Sequence, residues 1–275
     1  MNPKKSLGQN FLRDYVVVQQ VVSAISPQKD EICVEVGPGE GVITKYLVES
    51  EARVMAVELD DELVEKLKKS FITKKNIVVI HDDILKVFLM QELLKTGWAG
   101  KSQEISFRVV GNLPYYITSA IIRLFLEMQP KPKEMFFMVQ KEVAERIIAK
   151  PGDMSILAVA VQYYAEAKIL FPVSRESFFP VPKVESAFVK IVPKTRSDNH
   201  DAQKVLFRIV RAGFSSRRKM LANTLSSSLH ISKDIVISLL RSAEIDAMAR
   251  AQDLRIEDWE LLTKNFLETQ ALSLQ

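Results

Sequence analysis

The chain has 275 residues, 47% of them hydrophobic and 26% charged, with a net charge of +4 and a pI near 9.0. That balance fits an ordinary globular protein with a real core, one large domain plus a small one. Cys33 is the one cysteine, and His81, His200 and His230 are scattered, so neither a disulfide framework nor a metal site is expected. The basic start Met1-Asn2-Pro3-Lys4-Lys5 is not followed by an apolar signal region. No window approaches the roughly 20 apolar residues of a membrane span. A cytoplasmic location with no membrane partner is expected, and the positive charge points weakly to a polyanion.

Apolar runs alternate with helical patterns through the first two-thirds. Strands are predicted at Ile32 to Val36, Val54 to Glu58, Ile77 to Ile80, Phe107 to Val110 and Met135 to Val139. Helices are predicted at Val42 to Ser50, Asp60 to Ser70, Leu85 to Leu94, Ser119 to Met128, Glu142 to Ala149 and Ser155 to Tyr164. This alternation predicts a mainly parallel sheet covered on both faces. Ala167 to Val173 and Val184 to Val192 follow as an antiparallel pair at one end. Pro193 to His200 is polar and aperiodic, a linker. Beyond it, helices at Ala202 to Gly213, Lys219 to Leu229, Lys233 to Arg241 and Ile256 to Leu267 predict a small all-α domain. The expected partition is therefore 1–193 and 194–275.

Three strand ends carry candidate chemistry. Glu35-Val36-Gly37-Pro38-Gly39-Glu40-Gly41 follows the first strand, where glycines let the backbone turn and approach a ligand. Glu58 ends the second strand about 20 residues on, where a carboxylate can accept from both ribose hydroxyls, or else cap the following helix. His81-Asp82-Asp83 ends the third, where a carboxylate can accept from an adenine amino group. The set fits S-adenosylmethionine or a nicotinamide cofactor, and no clear catalytic His or Lys supports a dehydrogenase.

Asn112-Leu113-Pro114-Tyr115 follows the fourth strand and favours the methyl donor. Asn112 can accept a hydrogen bond from an exocyclic amine, Pro114 stiffens the turn, and Tyr115 offers a stacking face. Such a tetrad can grip an adenine.

These motifs resemble those of the ribosomal RNA adenine N6-dimethyltransferases, small-subunit branch (the KsgA/RsmA family). The resemblance runs almost end to end. It includes Gly8-Gln9-Asn10-Phe11-Leu12, Gly37-Pro38-Gly39, the tetrad, the segment from Phe178 to Ser186, and Phe214-Ser215-Ser216-Arg217-Arg218-Lys219. It implies an α/β, Rossmann-like class I S-adenosylmethionine-dependent methyltransferase domain with a small C-terminal all-α domain. By position it implies donor contacts from Asn10, Leu12, Gly37, Glu58, Asp83 and Asn112. It implies catalysis at Asn112, Leu113, Pro114 and Tyr115, with Phe178 as a second aromatic wall for the base. Tyr116 stands where many members carry Asn, and Ser215-Ser216 where Asn-Gln is frequent.

The implied substrate is small-subunit rRNA, within a partly assembled small ribosomal subunit, with the protein a monomer. Lys204, Arg208, Arg211, Arg217, Arg218 and Lys219 fit that partner, since the first three share one helix face in a stretch without acids. Lys4, Lys5 and Arg13 are candidates to extend that surface. A large-subunit rRNA methyltransferase of the macrolide-resistance type and a non-catalytic nucleic-acid-binding factor are the alternatives.

Overall fold

The computed structural model describes residues 4, 7–98, 105–195 and 199–272. Lys5 and the Arg196-Ser197-Asp198 part of the linker lie outside them. The chain divides into two compact units, residues 1–145 with 165–194, and residues 146–164 with 195–275.

The first unit holds β2 (Ile32–Val36), β3 (Arg53–Glu58), β4 (Ile77–His81), β5 (Phe107–Asn112), β6 (Glu134–Gln140), β7 (Ala165–Val173) and β9 (Ser186–Pro193) in one sheet. Their order is β4-β3-β2-β5-β6-β9-β7. The first five are parallel, and β9 runs antiparallel to both β6 and β7, as the sequence predicts. The five residues of β2 are all buried, the continuous run of a central strand covered on both faces. Helices α2 (Val42–Glu49), α3 (Asp61–Ser70), α4 (Leu89–Lys95), α5 (Thr118–Glu127) and α6 (Lys141–Ile147) link successive strands.

The order reverses at β2, which has β3 on one side and β5 on the other. This is the switch point at which open α/β sheets bind ligands, beyond the strand C-termini. The glycine loop leaves β2 and the tetrad leaves β5, so topology alone makes them neighbours.

Three features differ from the sequence expectation. A helix, α1 (Tyr15–Ile25), occupies a valine-rich run that carries no clear helical signal, because β-branched residues lower helix propensity. Its N-cap Asp14 accepts from Val16 and Val17, and Val17, Val18, Val21 and Ile25 are buried, which outweighs propensity. Helix α4 starts at Leu89 rather than Leu85, because Asp83 accepts from the Leu85 and Lys86 amides in a separate turn. Finally, α7 (Ile156–Tyr164) groups with the C-terminal helices, so the second unit takes residues 146–164 as well as those after the linker.

The second unit holds α7, α8 (His200–Gly213), α9 (Leu221–Leu229), α10 (Lys233–Ser242) and α11 (Ile256–Leu272). Its centre is Trp259, fully buried against Phe214 with ring centroids 5.8 Å apart. Phe207 packs on Tyr163 and Tyr164 of α7, with centroids 5.5 Å away.

Candidate active site

A cleft of about 1040 Å³, open to solvent, lies beyond the C-terminal ends of β2, β3, β4 and β5. Asn10, Leu12, Gly37, Glu58, Asp83, Asn112, Leu113, Pro114 and Tyr115 all line it. The structure thus brings together residues spread over more than 100 positions.

The floor is the glycine loop. Gly37, Gly39 and Gly41 have φ of 63°, 58° and 81°, a region that L side chains rarely adopt. At Gly39 a Cβ would stand 3.1 Å from the Phe11 ring, so the loop must be bare there. The Gly39 amide donates to Glu58 Oε2 at 3.0 Å, and the Leu59 and Asp60 amides donate to Oε1 at 2.9 and 3.0 Å. Burial raises the Glu58 pKa, and these three amides oppose it. Glu58 is therefore fixed at the rim of β3 by main chain, and capping of α3 falls to Asp60, which accepts from the Glu62 amide.

Asp83 is part-exposed, and its Oδ1 accepts from the Leu85 amide at 3.0 Å. Glu35 lies deeper, on β2. It is 2% exposed, lines the cleft, and its Oε2 has no hydrogen-bond partner among the described residues. Burial pushes its pKa up to about 7.

The tetrad is set by strand geometry. Gly111, just before it, lies against the Val36 carbonyl, where a Cβ would come within 2.7 Å. Asn112 closes β5, and the Leu113 amide donates to Met138 O at 3.1 Å. The Pro114 carbonyl accepts from the Ile117 amide at 3.2 Å and the Thr118 hydroxyl at 3.0 Å. The Leu113 carbonyl has no partner among the described residues. Asn112 Nδ2 donates to Asn10 O at 2.8 Å, which turns Oδ1 away from that bond as an acceptor. Tyr115 shares a 2.8 Å hydrogen bond with the Ser186 hydroxyl, and Ser186 is fully buried. Burial raises the Tyr115 pKa, so its phenol stays protonated where it lines the cleft.

Leu7 to Leu12 line the cleft, and this segment and Lys4 are tied down. Lys4 Nζ lies 2.8 Å from Asp60 and 2.9 Å from Asp61, and Gln9 Nε2 donates to Asp60 at 2.8 Å. Burial pushes Asp60 up, but Lys4 and Gln9 outweigh it and its pKa falls. Lys4 is thus committed to an ion pair. Gln9 and Ser186, and Asp60 apart from its capping of α3, carry no local signal of these roles, because the partners lie at least 51 positions away.

One expected wall is placed differently. Phe178 is 2% exposed and packs in the core with Leu12, Val110 and Met138, outside the cleft lining. Strand alternation is the reason. In the β1 (Phe11–Leu12) and β8 (Phe178–Phe179) pair, Phe178 opposes Leu12, and their side chains share the core-facing side. Phe178 presents no open ring face to a base here.

The six basic residues expected to meet RNA lie in the second unit and are all exposed. Lys204 pairs with Asp201 at 3.1 Å, while Arg208, Arg211, Arg217, Arg218 and Lys219 form no ion pair among the described residues. Glu257 and Asp258 do not neutralise them, since Asp258 binds Arg255 at 2.9 Å.

Residues 1–267 match the family described as ribosomal RNA adenine dimethylase. The chain belongs to that family. It is an S-adenosylmethionine-dependent ribosomal RNA adenine dimethyltransferase, with the Rossmann-like fold expected from its motifs. It is 41% identical over 263 residues to the ribosomal RNA small subunit methyltransferase A of Dehalococcoides mccartyi (strain CBDB1), covering 95% of this chain and 88% of the relative. The protein of that name from Alkaliphilus metalliredigens (strain QYMF) is 40% identical, covering 94% and 90%. Among solved structures, the 23S rRNA methyltransferase ErmE aligns with a TM-score of 0.69 and 27% identity, covering 93% of this chain and 99% of ErmE. A dimethyladenosine transferase from Plasmodium falciparum shares the fold, with a TM-score of 0.76 at 23% identity over 94% of this chain and 98% of its own. Among the described residues of this family member, no helix is long and apolar enough to cross a membrane.

Proposed function

We propose that the chain N6,N6-dimethylates two adjacent adenosines in a loop near the 3′ end of small-subunit (16S) rRNA. It does so as a cytoplasmic monomer acting on a partly assembled small ribosomal subunit, and so contributes to its biogenesis. The observation that carries the chemistry is the 2.8 Å bond from Asn112 Nδ2 to Asn10 O. It fixes the amide so that Oδ1 accepts.

The cleft fits S-adenosylmethionine. Its loop is bare at Gly37 and Gly39, and the buried Glu35 Oε2 awaits a donor. Glu58 would hold the ribose, Asp83 the adenine amino group, and Asn10 and Leu12 the methionine portion. When bound, the donor supplies a methyl group already activated on a sulfonium.

The protein's task is the nucleophile. Adenine N6 shares its lone pair with the ring. Asn112 Oδ1 and the unpartnered Leu113 carbonyl accept its two hydrogens and favour a pyramidal nitrogen. Tyr115 stacks on the ring, worth roughly 1–3 kcal/mol per base. Pro114 holds the turn rigid, and its own carbonyl is already used within the turn. Acceleration comes from positioning and fixed dipoles. No general base is needed, since the amine is cationic and acidic after transfer. The target base must be unpaired or extruded to reach the cleft. Lys204, Arg208, Arg211, Arg217, Arg218 and Lys219 supply phosphate contacts.

The large-subunit alternative is not favoured, because the relatives at about 40% identity carry the small-subunit name and ErmE stands at 27%. Incubation with labelled S-adenosylmethionine and either unmethylated small subunits or large-subunit RNA tests the reading. Label is expected on small-subunit RNA, and label on large-subunit RNA alone would overturn it.

A further inference from the structure

The rim of the cleft carries a stacked pair that the methyl transfer does not use. Phe179 is the outward residue of β8. Its neighbour Phe178 faces the core, and Phe179 remains 46% exposed. The Arg13 guanidinium lies over its ring, 4.7 Å from the centroid.

Both partners are held in place. The Arg13 amide donates to Ser177 O at 2.8 Å, and the Ser177 hydroxyl donates to Asp14 at 2.9 Å. The Arg13 side chain also reaches Glu40, which lines the cleft, at 3.3 Å. Glu40 is shared with Lys66 at 3.2 Å, so two cations meet one carboxylate and Arg13 is not its sole counter-charge. Register places the pair close to the chemistry. Phe179 opposes Phe11, which lines the cleft, and the residue before Phe11 is Asn10, whose carbonyl holds Asn112.

We propose that Arg13 and Phe179 form a subsite for the nucleotide next to the target adenosine. The flanking base stacks on the open part of the Phe179 ring, and its phosphate pairs with Arg13. Extruding an adenine breaks the stack on its neighbour, and an aromatic ring with a guanidinium against it replaces that stack. Because every base has a π-face, the subsite takes any single-stranded ribonucleotide and adds affinity without sequence preference. It is distinct from the Tyr115 wall, which meets the target base itself. The proposal rests on the reading that the cleft acts on RNA.

The test uses the full chain and a short single-stranded RNA with two adjacent adenosines, read by fluorescence anisotropy and by initial rates. Phe179→Ala is expected to raise both the RNA Kd and the RNA KM by about 5-fold or more. The kcat at saturating RNA and the donor Kd should stay within about twofold, and Phe179→Trp should restore RNA affinity. Arg13→Gln should lower the slope of log K against log salt by about 0.7, the value for one single-strand phosphate. Wild-type RNA affinity in Phe179→Ala overturns the subsite, as does an equal loss of donor binding, which would mean that Phe179 only braces Phe11. If the wild type methylates no ribosomal RNA yet RNA binding still depends on Phe179, the subsite stands and the proposed substrate fails. If it methylates normally and Phe179→Ala changes nothing, the reverse holds.

Discussion

The strand-end cleft and the basic face of α8 differ in how their polar side chains are held. In the cleft Asn112, Tyr115 and Glu58, and beside it Asp60, are each locked by a named partner at 2.8–3.0 Å. On α8 and the turn after it, Arg208, Arg211, Arg217, Arg218 and Lys219 are exposed and form no ion pair among the described residues. Fixed geometry makes the first region sensitive to single atoms. Summed charge makes the second graded, tolerant of exchange between cations, and sensitive to salt.

That contrast predicts a ranking. Asn112→Ala removes the side-chain acceptor and should lower kcat by about 100-fold or more, the scale of losing one preorganised transition-state hydrogen bond. Donor affinity should change far less, so rates and isothermal titration measured together separate the two roles. Near-wild-type turnover would mean that the cleft does not work through fixed acceptors.

Smaller losses are expected where the partner of a wall is removed. Ser186→Ala and Tyr115→Phe each delete one end of the same hydrogen bond, so each should lower kcat/KM by up to about tenfold. The double variant should be no worse than either single one. Additive losses would show that Ser186 acts by some route other than holding Tyr115.

Charge reversal at Arg217 and Arg218 should weaken RNA binding without touching donor affinity. It should also flatten the salt dependence, by about 0.7 in slope for each phosphate that is no longer neutralised. An unchanged slope would remove these two residues from the RNA surface.

The smallest effect concerns stability. Glu35 has a folded-state pKa raised by burial from 4.5 to about 7. Below 4.5 both folded and unfolded states hold the proton. As pH rises towards 7 the unfolded chain releases it first, so this contribution to stability is lost through that window. Donor-free thermal melts should fall with pH across the window in the wild type and less in Glu35→Gln. Parallel curves for the two would contradict the assignment.

The two regions also differ in what their sequence discloses. The glycine loop, Glu58, Asp83 and the tetrad each sit at the end of a short apolar run, so strand periodicity places them together without tertiary information. The basic stripe is readable from spacing alone. The contacts that tune the cleft are not, because Asn10 to Asn112 spans 102 positions and Tyr115 to Ser186 spans 71. Phe178 shows the limit most clearly. A one-residue change of facing on a two-residue strand decides whether Phe178 or Phe179 is open, and nothing local fixes it. Helix α1 was hidden for another reason, its valines favouring a strand until burial and the Asp14 cap are counted.

The central claim is that two acceptors, Asn112 Oδ1 and Leu113 O, suffice for two successive transfers. After the first methyl, N6 keeps one hydrogen and needs only one of them. Nucleoside mass spectrometry of small-subunit RNA after reaction with S-adenosylmethionine tests this most directly. The account predicts N6,N6-dimethyladenosine at two adjacent positions. Accumulation of N6-monomethyladenosine alone, or methyl groups at non-adjacent adenosines, would contradict it.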